Sequence, residues 1–352
     1  MASRKQQRID PNKVAKVELP ARLEDEGRIP KAARATGPAK GKSKRPGGRP
    51  PGVTKVHKAT FGDWVAGARL RTLPLSLSPV ILGTAIAHEE LEPWAWWRIA
   101  LAAIVAICLQ IGVNYANDYS DGVRGTDRFR VGPSRLTGSG AAKPRTVLIV
   151  ALSFFALAAI AGLILVIHIE QYWLLIVGAV AIAAAYFYSG GKRPYGYYGL
   201  GELFVFVFFG LVATAGTTYV QIGTAGLDAW LGGAALGFIA CAVLMVNNIR
   251  DLPQDKLARK RTLAVLIGDR AGRIVFTVFM LLPFVIVIYF GLIFPDAYFT
   301  YFALFLAVPA VLITLTAKTP PELILALQLA SYTSLAYAIL LGWALAFTSP
   351  LA

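Results

Sequence analysis

Nine runs of mostly apolar residues dominate the chain after residue 64: 70–88, 97–117, 146–168, 171–189, 201–222, 229–249, 271–294, 298–317 and 324–347. About 20 apolar residues in a helix cross the hydrocarbon layer of a bilayer. Open strands cannot do so, because lipid offers no partner for an unpaired backbone N–H or C=O. The expected fold is therefore an all-α integral membrane protein: nine transmembrane helices in a bundle, with cytoplasmic cap loops. Runs such as "GAVAIAAAYF" and "GGAALGFIACAV" are rich in small residues that let membrane helices approach closely. The 56% hydrophobic content of the 352-residue chain excludes an ordinary soluble domain. Cys108 and Cys241 both lie within apolar runs and imply no disulfide framework.

Basic residues give the orientation. The connections after runs two, four, six and eight carry 6, 2, 7 and 1 Lys or Arg, whereas the opposite set carries only Arg98. Cytoplasmic loops hold the excess of Lys and Arg. The even connections and the N-terminus are thus expected in the cytoplasm, and the C-terminus outside. The connections after runs two and six are long, at roughly 28 and 21 residues, and long connections on one face of a bundle usually carry function.

Residues 1–60 hold 16 Lys or Arg against 5 Asp or Glu, so most of the net charge of +15 sits there. This segment lacks the apolar content to fold or to form a secretory leader. It reads as a disordered basic cytoplasmic tail in contact with anionic lipid, at about 1 kcal/mol per basic residue near the surface. No aromatic platform or nucleic-acid-binding fold accompanies it, so no nucleic-acid partner is expected. Residues 61–352 form the transmembrane domain.

Two acidic clusters interrupt this pattern. "NYANDYSDGVRGTDRF" (114–129) ends run two and "NNIRDLPQDKLARKRT" (247–262) ends run six. Asn114 and Asp118 are four apart, as are Asn247 and Asp251; a second acid follows at Asp121 and at Asp255. This is an internal repeat, and i/i+3 and i/i+4 spacing puts each pair on one helix face. Four converging carboxylates need cations. Hard oxygen donors suit Mg²⁺, which binds through one or two carboxylates plus substrate phosphates. Arg124, Arg135, Lys143, Arg145, Arg250, Lys256, Arg259, Lys260 and Arg261 surround the clusters, so a metal-bound diphosphate is expected there. Taken singly, these bases are equally readable as interfacial charges.

A third polar island, "YFYSGGKRPYGYYGLGE" (186–202), places Tyr188 and Lys192 four apart on the same side. A fourth, "RLRTLPLSLSPV" (69–80), puts Arg69 and Arg71 at the start of the first run, with prolines that free backbone groups. Both read either as interfacial anchors or as substrate contacts.

These four segments in order resemble the membrane-embedded UbiA-type aromatic prenyltransferases, over about residues 64–347. Within that family they look most like the branch that prenylates 1,4-dihydroxy-2-naphthoate in menaquinone synthesis. The resemblance implies transfer of a polyprenyl group from polyprenyl diphosphate, with decarboxylation, to give demethylmenaquinone. It implies that Asp118, Asp121, Asp251 and Asp255 hold two Mg²⁺ ions and that Asn114, Tyr188 and Lys192 act at the reacting carbon. It implies further that Arg71, Asn117, Arg135, Lys143, Arg259 and Lys260 contact substrate, and that the protein lies in a bacterial plasma membrane with a cytoplasmic active site. The next acid, Asp127, lies six after Asp121, where other branches place it four after; that departure matches the naphthoate branch.

Two other classes fit less well. "DYSDG" opens like the motif of CDP-alcohol phosphotransferases, but the partner acids lie some 130 residues on. An ion-coupled transporter would place acids at the bilayer centre, and here they stand at run ends. Within the family, an acceptor of 4-hydroxybenzoate or homogentisate type is the alternative to the naphthoate.

Overall fold

The computed structural model describes residues 58–90, 94–126 and 135–350. The basic tail to residue 57, and Asp127, lie outside the described residues. Those described form twelve α-helices and contain no strand. Seven helical segments are long and apolar enough to cross a membrane, or eight if one bent pair counts as a span.

The bent pair comes first. Helix α1 (Phe61–Gly67) starts at a capping box between Thr60 and Asp63. Arg69, at φ +54°, then breaks the path before α2 (Pro74–Glu90) begins on a proline, at an angle of 47°. A proline fits the first turn because it has no N–H to leave unpaired. The polar island at 69–80 is thus a corner that turns its backbone toward the bundle interior.

Next come α3 (Trp96–Arg124), α4 (Pro144–Ile169) and α5 (Leu174–Phe187). Gly125, at φ +72°, stops α3 just after its acids. With 14 residues α5 spans only about 21 Å at 1.5 Å per residue, which is why run four is not among the seven. The fifth run is one 22-residue segment: α6 (Gly201–Val205), a π-helical stretch at Phe206–Val212, and α7 (Ala213–Ile222). It is followed by α8 (Leu227–Leu257), the short α9 (Leu263–Ile267) and α10 (Asp269–Ile293). A 3₁₀ segment at Pro295–Ala303 leads into α11 (Leu304–Thr316), and α12 (Pro320–Phe347) starts at a second capping box, Thr319 with Glu322.

Helix α8 is the axis of the molecule; 72% of its apolar window is buried, against 28–50% in the other spans. Glycine makes that possible. A Cβ on Gly210 would lie 2.5 Å from the Gly233 carbonyl and 2.5 Å from the Gly237 Cα, so the π-helical stretch and α8 touch backbone to backbone. One apolar core joins α2, α8, α10, α11 and α12, including Leu82, Met245, Phe276 and Tyr337. A second, around Tyr115, Leu136 and Phe155, joins α3 and α4. Helix α4 turns Ile149, Leu152, Leu157, Ile160 and Leu163 outward, a surface that suits lipid.

Arg98, the one base on the opposite side, has a structural partner. Its guanidinium donates to the carbonyls of Gln221 (2.6 Å) and Val220 (3.3 Å), which α7 leaves unpaired at its end.

Candidate active site

A cavity of about 600 Å³ lies between the two cores. It is graded along α3 and α8. On α3 the lining passes from Ala102, Val105 and Leu109 to Gln110, Asn114 and Asn117, then Asp121. On α8 it passes from Ala240, Val243 and Leu244 to Asn247 and Asn248, then Asp251, Gln254 and Asp255. Most of the remaining wall is apolar, including Ala158 and Gly162 of α4, Gly178 and Ile182 of α5, and Phe208 and Phe209 of the π-helical stretch, with Ser76 of α2 and Thr217 of α7 as hydroxyls among them. One end of the cavity is therefore acidic, the middle is amide, and the rest is mainly hydrocarbon.

Three connections close the acidic end. Lys260 sits in the turn after α8, where its Nζ lies 3.2 Å from Asp121 and 3.8 Å from Asp255. It thus joins the two sequence clusters across the cavity. The same ammonium stands 4.6 Å from the centre of the Tyr197 ring, and the Arg124 guanidinium stands 5.4 Å from it. The Tyr197 hydroxyl donates to Asp121. Burial, with the Asp121 carboxylate beside it, pushes that hydroxyl well above its ordinary range, so it stays a donor. The backbone N–H of Arg261 donates to the Tyr197 carbonyl at 3.0 Å, which fastens their two connections to each other. Arg135 completes the end: it donates to Asp121 at 2.6 Å and to the Asn117 carbonyl at 2.9 Å.

Asp251 is held differently. Arg250 donates to both its oxygens, at 2.7 and 2.6 Å, and to Asn247 Oδ1 at 2.8 Å. The asparagines are also fixed. Asn114 Nδ2 donates to the Ala68 carbonyl at 2.9 Å, and Asn117 Oδ1 accepts from Ser189 at 2.5 Å. Tyr188, the residue that caps α5 at its C-terminal end, lines the cavity and stacks edge-on with Tyr195.

The structure brings Asn114, Asn117, Asp121, Arg135, Tyr188, Asp251, Asp255 and Lys260 to one cavity. It does not bring Asp118 there. Asp118 is 2% exposed, and its two oxygens accept the backbone N–H groups of Leu136 and Thr137, each at 2.8 Å. On a helix Gln110, Asn114, Asn117 and Asp121 fall within about 60° of one another, and Asp118 lies about 60° further round from Asp121. The pattern that faces the cavity is thus Asn117 with Asp121. It matches Asn247 with Asp251, each 130 positions on, so the internal repeat runs in this register rather than from Asn114 and Asp118.

Arg71, Lys143, Lys192 and Arg259 are exposed and do not line the cavity. Arg71, Lys192 and Arg259 each stand within three residues of one that does, whereas Lys143 is eight residues beyond Arg135. Arg69, named from sequence beside Arg71, lines the cavity, and Tyr197, Ser189 and Asn248 line it without having been singled out from sequence. Tyr197 lay within the third polar island and Asn248 within the second acidic cluster; nothing in the spacing separated them from their neighbours.

The donor set bears on metal binding. The inward-facing donors are carboxylate and amide oxygens, which suit a hard cation such as Mg²⁺. Among the described residues no three His, Cys, Asp or Glu converge into a preformed metal cage. Instead Asp121 and Asp251 are each neutralised by an Arg, with Lys260 bridging Asp121 to Asp255. Such acids fit a cation that brings most of its own ligands, each carboxylate adding one or two oxygens.

The sequence pattern of the UbiA prenyltransferase family matches residues 76–323, from the first membrane helix to the start of the last. The chain belongs to the UbiA prenyltransferase family. It is similar to the 1,4-dihydroxy-2-naphthoate octaprenyltransferase of Mycobacterium tuberculosis, with 52% identity over 62% of this chain and 74% of the relative. The Escherichia coli protein of the same name is 37% identical over 63% of this chain and 73% of the relative. Among solved structures, a UbiA homologue from Aeropyrum pernix superposes with a TM-score of 0.57 at 15% identity, covering 77% of this chain and 95% of that one. A UbiA homologue from Archaeoglobus fulgidus, bound to GPP and Mg²⁺, gives 0.54 at 16% identity, covering 81% and 99%. At such identities the structures speak to the UbiA fold alone.

Proposed function

We propose that the chain transfers a polyprenyl group from polyprenyl diphosphate to 1,4-dihydroxy-2-naphthoate, with loss of CO₂ and release of diphosphate, to give demethylmenaquinol, which a separate oxidant converts to demethylmenaquinone. The carrying observation is the meeting of Asp121 and Asp255 at Lys260, at the polar end of a cavity whose remaining length is mainly apolar. That grading matches a substrate with an anionic head and a hydrocarbon tail. The names of the mycobacterial and enterobacterial relatives supply the acceptor.

In this reading Asp121, Asp251 and Asp255 would hold two Mg²⁺ ions with the diphosphate, and that binding would supply neutralisation of the leaving group's charge. Asp118 serves instead to tie down the connection that carries Arg135. Arg135 and Lys260 turn from the carboxylates toward diphosphate oxygens and stabilise the charge that builds as the allylic C–O bond breaks. The allylic carbon adjoins the diphosphate, so it lies at the level of Asn114, Asn117 and Asn248. There amide carbonyls and the Tyr188 ring face the developing positive charge. The electron-rich naphthoate carbon bonds to it, and the carboxylate departs as CO₂. The apolar wall holds the prenyl chain and keeps water from the cation.

In this reading the acidic end faces the cytoplasm from a bacterial plasma membrane, and the bases that flank it support that orientation. All nine runs cross or enter the bilayer, α5 and the bent pair included, and the connections 118–145 and 250–273 cover the site. Anionic lipid meets the basic tail. Arg71, Lys143, Lys192 and Arg259 stand at the rim, where they attract two anionic substrates.

Purified protein in detergent, given 1,4-dihydroxy-2-naphthoate, a polyprenyl diphosphate and Mg²⁺, should yield demethylmenaquinol, read by mass spectrometry as demethylmenaquinone after oxidation in air. A prenylated product that keeps the carboxylate, or one made only from 4-hydroxybenzoate, would overturn the assignment.

A further inference from the structure

Glu202 is a buried carboxyl group outside the acidic clusters. It is 6% exposed, it stands on the first turn of α6, and it does not line the cavity. Its Oε1 accepts from Asn248 Nδ2 at 3.1 Å. Its Oε2 is buried and, among the described residues, has no hydrogen-bond partner. No ion pair to it exists among the described residues either. A carboxyl group in such a place costs stability. A Met or Gln of similar size would avoid much of that cost, so folding alone gives no reason for an acid here.

What Glu202 touches supplies a reason. Asn248 lies on the cavity wall, about 4.5 Å along α8 below Asp251 at 1.5 Å per residue. It stands between the acids and the apolar residues Val243 and Leu244. With Nδ2 donated to a fixed carboxyl oxygen, Oδ1 is the end of the Asn248 amide left for the cavity that this residue lines. Asn114 is set in the same manner on α3, its Nδ2 spent on the Ala68 carbonyl. Two amide oxygens, one on each half of the repeat, thus face the level just inside the acids. A free amide on a cavity wall could turn either end inward, and an inward NH₂ would repel developing positive charge. A carboxylate behind Asn248 permits only the favourable orientation.

We infer that Glu202 is a positioning residue: it fixes the Asn248 amide with its carbonyl oxygen toward the allylic carbon, at a cost in stability. This inference rests on the function proposed above. It predicts that Glu202 matters for turnover only through Asn248 and matters more for kcat than for either KM.

The test is a double-mutant cycle of Glu202→Met and Asn248→Ala, with Glu202→Gln as the conservative variant, assayed for prenyl transfer alongside thermal unfolding in detergent. Glu202→Met should lower kcat about tenfold or more while both KM values stay within about twofold, as expected for an interaction made chiefly in the transition state. Its melting temperature should equal or exceed that of the wild type. Adding Glu202→Met to Asn248→Ala should cost little more, because coupled residues are non-additive. Glu202→Gln keeps an acceptor for Asn248 and should recover most of the lost kcat. Additive losses, a Glu202→Gln defect as deep as that of Glu202→Met, or a fall in melting temperature that parallels the fall in kcat would overturn the inference. Wild-type turnover is read first. Its absence with the naphthoate counts against the proposed function, whereas normal wild-type turnover with an additive cycle counts against Glu202 alone.

Discussion

Asp118 and Asp121 are three positions apart in one helix, yet they do different work. The first has both oxygens on backbone amides of the connection after α3, and the second meets Arg135, Tyr197 and Lys260. Their substitutions should separate accordingly. Asp121→Asn should reduce prenyl transfer by about 10²-fold or more, as loss of a group that stabilises transition-state charge does. It should also lower the melting temperature, because Arg135 and Lys260 lose the carboxylate that neutralises them in a buried place, so activity is compared per folded protein. Asp118→Asn should cost stability, about 1–3 kcal/mol for backbone donors left unmatched in a buried place. It should nevertheless retain Mg²⁺-dependent activity in the fraction that stays folded. Equal loss of activity at equal stability in both variants would contradict the division. The corresponding acid in the second half, Asp251, should behave like Asp121.

At the scale of elements, two kinds of glycine line or support the cavity. Gly210 is structural: a Cβ there would meet the backbone of α8 at 2.5 Å. Gly210→Ala should destabilise the protein by about 1–3 kcal/mol, the usual cost of overpacking, measured as a lowered melting temperature in detergent. Gly178 on α5 is the opposite case, a cavity-lining glycine around which a Cβ would meet nothing within 4 Å. Gly178→Phe should fold normally and reduce the volume open to the prenyl chain. With mixed prenyl diphosphates as donors, mass spectrometry should show the products shifted to shorter chains. An unchanged distribution would place the chain elsewhere.

For the whole molecule, the graded cavity means that head group and tail are sorted by position along two long helices. The acidic end should depend on divalent cation: EDTA should abolish turnover, and added Mg²⁺ should restore it in full, because the donor oxygens are held by Arg and Lys partners meanwhile. Orientation gives a separate prediction. Single cysteines at Lys192 and Arg259, in a chain whose Cys108 and Cys241 are replaced, should react with a membrane-impermeant thiol reagent only after cells are opened. A cysteine at Asp296 should react in intact spheroplasts. The reverse pattern would invert the topology.

Hydropathy alone determined that the chain is a helical membrane protein, since runs of this length and greasiness have no other way to satisfy their backbone. The four polar islands in order pointed to the prenyltransferase family, because chemistry on a diphosphate demands acids and bases that a bilayer otherwise excludes. The sequence left open which acid of a closely spaced pair faces inward. A 60° difference on a helix is decided by what packs beside it, and beside Asp118 that is a connection folded back from 18 residues on. It could not separate Lys260 from Arg259, adjacent bases of which one closes the cavity and the other meets water. The span count also depended on packing: α5 is shorter than its apolar run and α1 is bent from α2 at Arg69. The pairing of Glu202 with Asn248, 46 residues apart, was invisible until α6 and α8 came together. Local pattern fixes what each segment must do in lipid; only long-range contact fixes which side chains share a cavity.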